Sequence, residues 1–440
     1  MSEVVGIVLF ALVILFSIAI HEVGHLLPAK KFGVKVTEYM VGFGPIIWSK
    51  VKGGTDYGIK AIPLGGYIRM VGMLPPAKGD PEGTARTMTT GRFAAMINDA
   101  RKASLEEIQP GDENSVFYAK PVHQKIIIML GGPTMNLILA FILFTAMLVG
   151  IGLPQPSLTV GALVACTPSV EQPNGTALPS GNCPTGTQPA PGAAAGLQPG
   201  DTIVGIDGQP VNDWDTMTTW IREHGGQETT FTITNNGQTR DVPITIATVT
   251  RTVVDAQGNP TDQTTTAGFV GVRPQMEYVQ QPITAVPSAM WQMTTASVGA
   301  LISLPVRLYE LVHDTLIGGG ERQIDGPVSV VGVSRLGGEV AASDQPWKAK
   351  AATFLGLAAS LNLFLFLFNL IPILPLDGGH VAGAIYEAIR RFFAKLRGKP
   401  DPGPADVAKL LPVAYIVAAL LIGMSVIVIW ADIVKPITLG

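Results

Sequence analysis

Residues 4–28 read VVGIVLFALVILFSIAIHEVGHLLP, an apolar run that ends in two histidines and a glutamate. A helix needs about 20 residues to cross the roughly 30 Å of hydrocarbon in a bilayer, so this stretch is long enough to span. No basic segment precedes it and no small-residue cleavage pattern follows, so it reads as a retained span rather than a signal peptide. Three further stretches, 124–152, 351–371 and 411–431, share its length and character. The composition agrees, with 440 residues of which 47% are hydrophobic and only 14% charged, against about 25% charged in soluble domains. A net charge of −3 offers no basic patch for nucleic acid. Two cysteines exclude a disulfide-dense scaffold and a thiolate zinc cluster.

Twenty of the thirty Lys and Arg lie in segments 29–125 and 388–410. Because cytoplasmic segments retain positive charge, the N-terminus and residues 153–350 are expected outside, with 29–120 and 381–410 in the cytoplasm. The chain then divides into a first transmembrane helix (1–28), cytoplasmic β-loops and connector (29–120), a second helix (121–152), a β-rich outer domain (153–280), an outer amphipathic segment (281–350), a third helix (351–380), a cytoplasmic loop (381–410) and a fourth helix (411–431).

In the outer domain, alternating Ile203, Val204 and Ile206 predict a strand ending at an Asp207-Gly208 turn, and a helical pattern covers Asp213 to His224. Residues 231–246, FTITNNGQTRDVPITI, read as a hairpin turning at Asn236-Gly237. A Pro- and Gly-rich insertion at 166–190 holds Cys166 and Cys183. Both cysteines fall on the oxidising side, so a bridge between them is expected. Residues 34–72 predict a sheet or hairpins from their β-branched runs and turn glycines, and 91–109 a short amphipathic helix or solvated connector.

The chemistry sits at the end of the first run. In His21-Glu22-Val23-Gly24-His25 the two imidazoles stand one helical turn apart, where both can reach one Zn²⁺, and Glu22 stands beside them as a base for the attacking water. Ionisable side chains at membrane depth cost roughly 2.5–3.5 kcal/mol each, so three clustered in a span point to function. A catalytic zinc needs a third protein ligand and an open position. Asp377, in Asn369-Leu-Ile-Pro-Ile-Leu-Pro-Leu-Asp377-Gly-Gly-His380, falls at the same cytoplasmic depth as His21 and His25, after two prolines that break its helix. His380 is a rival ligand, less suited because two glycines swing it towards the cytosol.

Together with Gly42-Phe-Gly-Pro45, Ile62-Pro-Leu-Gly-Gly-Tyr67 and Gly131-Gly-Pro-x-x-Asn136, these motifs make the sequence similar to the site-2 proteases. These are intramembrane zinc metalloproteases; the bacterial regulated-proteolysis type carries an outer PDZ domain, which the Gly196 to Asp201 opening resembles. The resemblance implies a multi-pass α-helical membrane protein of about four spans in the bacterial inner membrane. It further implies His21, His25 and Asp377 as zinc ligands, Glu22 as catalytic base, Asn369 as substrate contact, and a membrane-associated β-loop around 58–70. Expected partners are the lipid bilayer and single-span substrates such as anti-sigma factors, cut after a first outer cleavage, with a peptide C-terminus a candidate for the PDZ module. The insertion 166–190 and the long connector 78–116 depart from the family pattern. Two alternatives remain open: a membrane zinc protease with a cytosol-facing quality-control role, and an inactive PDZ scaffold.

Overall fold

The structure, a computed structural model, describes residues 2–76, 92–168, 170–171, 183, 187–254, 260–313 and 326–437. Most of the 166–190 insertion, part of the 78–116 connector and Asp325 lie outside the described residues. In chain order the elements are α1 (Ser2–Lys31), β1 (Val36–Lys52), β2 (Thr55–Met70), α2 (Arg92–Glu106) and α3 (Val122–Thr145, prolonged by a π turn over Ala146–Ile151). Then come β3 (Leu153–Leu163), β4 (Val170–Glu171), α4 (Pro191–Ala194), β5 (Thr202–Ile206), β6 (Gln209–Pro210), α5 (Trp214–Glu223), β7 (Glu228–Asn235), β8 (Gln238–Thr245), β9 (Ala247–Val254), β10 (Pro260–Phe269) and β11 (Val272–Val279). The chain closes with α6 (Ala285–Val312), α7 (Val330–Ala342), α8 (Trp347–Asn369), α9 (Asp377–Leu396) and α10 (Leu411–Val434). Residues 152–280 form one compact unit and the remainder another.

In the helical unit, α1 ends because Gly33 adopts a positive φ of 69°. The Val34 N–H then donates to the Ala29 carbonyl at 2.8 Å, satisfying an acceptor left open at the helix end. Antiparallel α3 crosses α1 where Gly24 faces Gly131, and a Cβ on either glycine would overlap the other's carbonyl. Small residues let two backbones approach this closely where lipid supplies no hydrophobic force between helices. Pro372 stops α8, and the chain restarts as α9 at Asp377. There Gly378 and Gly379 press against the backbone of 370–374, where neither has room for a Cβ.

Among the described residues, five helices are long and apolar enough to cross a membrane, including the four expected spans; the additional one is α6. Gln281 N–H donates to the Leu148 carbonyl beyond α3, and Val286 clusters with Phe144 and Leu148. At its far end Leu311 clusters with Val428 and Ala431 of α10. Next to these, Asp432 accepts from Ser329 N–H at 2.7 Å, at the start of α7, whose glycines pack on Gly6, Ile7 and Phe10 of α1. The start of α6 thus meets the end of α3, and its far end meets α10 beside the start of α7.

Two expectations for the segments read as cytoplasmic change. Residues 381–396 continue α9 as a helix rather than a loop, because Ile385, Ile389, Phe392 and Leu396 repeat at helical spacing. α2 is docked rather than solvated: Arg101, 5% exposed, binds Asp406 at 2.6 Å. β1 and β2 fold back on each other, so that residues 38–41 pair with both 56–59 and 66–69, and 46–52 pair with 55–60 on the outside.

In the 152–280 unit, the strand order is β11-β3-β5-β7-β8, with β9, β10 and β4 in a second sheet. Val160, Ile203, Met217, Phe231, Ile233, Ile244 and Ile246 fill its core. The expected turns occur at Asp207-Gly208 and Asn236-Gly237, all four residues at positive φ, and Asp213 caps α5 through the Thr216 N–H at 2.7 Å. Cys166 and Cys183 are bonded, so mass spectrometry of unreduced protein from membranes is expected to find no free thiol. Burial pushes the Asp201 carboxyl up, but hydrogen bonds from Asn235 and Gln198 and the Arg240 guanidinium outweigh it and hold it below the usual carboxylate range. Its folded value lies below its unfolded one, so its stabilisation is present at neutral pH and lost as pH falls below about 4. Asp201→Asn is therefore expected to lower the melting temperature at pH 7 and to flatten the acid limb of a pH titration of that melt.

Candidate metal centre

His21 and His25 stand one turn apart on α1, and their Nε2 atoms are 3.2 Å apart. Asp377 Oδ2 is 3.2 Å from His21 Nε2 and 3.3 Å from His25 Nε2. These spacings match the edge of a tetrahedron around zinc, about 3.3 Å for ligands at roughly 2.0–2.1 Å. His25 Nδ1–H donates to the Ile128 carbonyl at 2.8 Å, which leaves Nε2 with its lone pair facing the other two donors. His21 Nδ1 and Asp377 Oδ2 are buried without a hydrogen-bond partner among the described residues. Three lone pairs converging at such distances repel one another unless a cation lies among them. No other group of three or more His, Cys, Asp or Glu among the described residues converges in this way.

Neighbouring backbone shapes the site. A Cβ at Gly132 would overlap His25 Nε2, so α3 leaves room for the imidazole only because that position is glycine. Asp377 is the first residue of α9, where the unpaired N–H groups of the helix favour a carboxylate. Glu22 meets the sheet: a Cβ on Gly66 would stand 3.1 Å from Glu22 Cγ. The Tyr39 hydroxyl donates to the Ala19 carbonyl at 2.9 Å, holding β1 against the same stretch of α1.

A family model described as peptidase family M50 matches residues 9–400. The chain belongs to this family. It is 34% identical over 444 residues to the zinc metalloprotease Rip1 of Mycobacterium tuberculosis H37Rv, with 100% of both chains covered. It is 27% identical over 479 residues to the zinc metalloprotease RasP of Geobacillus kaustophilus, covering 98% of this chain and 97% of the relative. To the metalloprotease MmpA of Caulobacter vibrioides it is 28% identical over 391 residues, covering 85% and 84%. It is thus a multi-pass membrane zinc metalloprotease of the M50, or site-2 protease, family.

Of the residues read from sequence, His21, His25 and Asp377 come together and Glu22 stands beside them. His380 does not join them: it lines a separate cavity with Lys125 and Glu387. Asn369 ends α8, half-buried, and its side chain makes no hydrogen bond among the described residues. The sequence reading missed the Ile128 carbonyl, which no side chain announces, and the spacing role of Gly132, which the Gly131-Gly132 pair could have suggested. On this geometry His21→Ala and Asp377→Ala are expected to lose zinc, and Glu22→Gln to keep near-stoichiometric metal. Gly132→Ala is expected to weaken zinc binding about tenfold or more by displacing His25. Metal analysis of the four purified variants checks all of this, and equal zinc loss in every variant contradicts it.

Proposed function

We propose that the chain cleaves single-span membrane proteins at a zinc held by His21, His25 and Asp377, with Glu22 as the base. The observation that carries this reading is the convergence of the three donor atoms at the end of an apolar helix, with Glu22 on the next residue. Zinc, when bound, lowers the pKa of water towards 7 and polarises a peptide carbonyl. Glu22 takes the proton of the attacking water and can return it to the leaving amine. Asn369 is assigned to hydrogen bonds with substrate backbone.

A transmembrane helix keeps its carbonyls in internal hydrogen bonds, so the substrate must unwind locally before attack. Among the described residues, 66–69 pair on one side only, with 38–41, and Gly66 borders Glu22. An extended segment added to that edge would recover the hydrogen bonds given up by the helix and be carried past the base.

The 153–280 unit is read as a PDZ domain on the outer side, with the site towards the cytosol. It then filters substrates by bulk instead of supplying catalytic groups. α6, about 42 Å long, is read as lying along the outer surface. The substrate class, anti-sigma factors among them, follows the family resemblance.

Co-expression with candidate single-span proteins is expected to give a fragment with wild type and none with Glu22→Gln. Replacing 193–273 by a short linker is expected to leave cleavage of an outwardly trimmed substrate intact and to permit cleavage of the untrimmed one. Slower cleavage of the trimmed substrate would instead mean that the unit binds its new C-terminus.

A further inference from the structure

Lys125 and Glu387 form an ion pair of 2.9 Å, with side chains 5% and 2% exposed. The pair joins α3, which frames His25, to α9, which carries Asp377. On α3, Lys125, Ile128 and Gly132 recur at i, i+3 and i+7, so the face that bears the lysine also offers the carbonyl that orients His25 and the gap that admits its ring. On α9, Glu387 lies ten residues beyond Asp377, about 15 Å along the axis. Its other contacts extend the anchor: Glu387 Oε2 accepts from Ala405 N–H at 3.0 Å, and Oε1 stands 3.0 Å from the Arg391 guanidinium.

The opposite face of α9 gives it no comparable hold. Ile385 is 46% exposed and Phe392 62%, and Tyr386, Ile389 and Phe393 are exposed with them. A fluid lipid surface against such a stripe fixes neither the rotation nor the slide of a helix. Two apolar side chains could pack α3 on α9 at a lower desolvation cost than a buried ion pair. What they would lack is direction: a charge-assisted hydrogen bond sets both a distance and an angle. A metal site tolerates errors of only about 0.5 Å.

We infer that Lys125 and Glu387 are positioning residues for the metal centre, an ion pair that fixes the rotation of α9 on α3 and thereby keeps Asp377 Oδ2 in register with His21 and His25. The inference rests on the zinc reading of those three residues.

The test uses the full chain in detergent, with the variants Lys125→Met, Glu387→Leu, the double variant and Glu387→Gln. Zinc affinity is read by competition with a chromophoric chelator, site geometry by the absorption spectrum with Co²⁺, and folding by the melt of the metal-free protein. The double variant is expected to melt near wild type, because an apolar pair replaces the ions. Its zinc affinity is expected to fall about tenfold or more with a shifted cobalt spectrum, as when the support of a ligand is removed. Glu387→Gln keeps the side-chain shape and the acceptors for Lys125 and Ala405, so it removes the charge with the least change of shape, and it is expected to move both readouts in the same direction. Wild-type affinity and an unchanged cobalt spectrum in a folded variant overturn the inference while leaving the zinc site standing. Absence of zinc binding in the wild type overturns the zinc reading and the inference together.

Discussion

The contact between Gly24 and Gly131 is the constraint on which the site depends. Because neither residue carries a Cβ, α1 and α3 meet backbone to backbone. That proximity brings the Ile128 carbonyl within 2.8 Å of His25 Nδ1. Move α3 out by the width of a methyl group, and His25 loses the partner that fixes its tautomer while Gly132 no longer frames its ring. In water such an approach could be driven by burying apolar surface; among lipid tails it rests on close packing and on the few polar contacts between helices. The Asn362 amide, which donates to Ser17 Oγ at 3.0 Å, is one such contact, joining α8 to α1 one turn before His21.

On the proposed function, the sheet formed by β1 and β2 answers a different demand. A zinc site within a bilayer meets substrates whose backbone is already satisfied, so the enzyme must offer replacement hydrogen bonds where the helix is opened. Irregular or extended backbone is tolerated at that depth only when packed on protein. Tyr39 and Gly66 provide that packing, tying the sheet to α1 at Ala19, Ile18 and Glu22.

Much of this was legible in the sequence. The His-Glu-x-x-His spacing, the proline-broken approach to Asp377, the Asn236-Gly237 hairpin and the cap at Asp213 are local signals, each set by a few neighbouring residues, and each appears in the structure. What escaped was non-local or cut across a simple rule. α9 was read as a loop because a charge-rich segment draws attention to its lysines and arginines before the helical repeat of its apolar residues. The helix over 92–106 is legible, but its docking is not, because nothing near Arg101 in the sequence announces Asp406, 305 residues away. α6 is apolar enough to cross by composition, and its contacts with the end of α3 and with α10 join residues too distant in the chain for the sequence to announce.

On the proposed zinc site, the ligand set would also explain why the third residue stands on a broken helix. Two ligands on α1 fix a line, not a point, and a third on a continuous helix would come with the rotation and spacing of that helix already set. Ending α8 at Asn369 and restarting at Asp377 frees the carboxylate from both. The break brings its own cost, a loop at membrane depth, and Gly378 and Gly379 limit it by letting the new helix pack directly on the loop's backbone. Placing Asp377 at the first position of α9 then aligns two attractions for one negative charge, the N-terminal dipole of the helix on one side and a metal cation on the other. A glutamate reaching from a continuous helix would retain the second attraction and forgo the first, so the break gives the carboxylate an electrostatic anchor that does not depend on the metal.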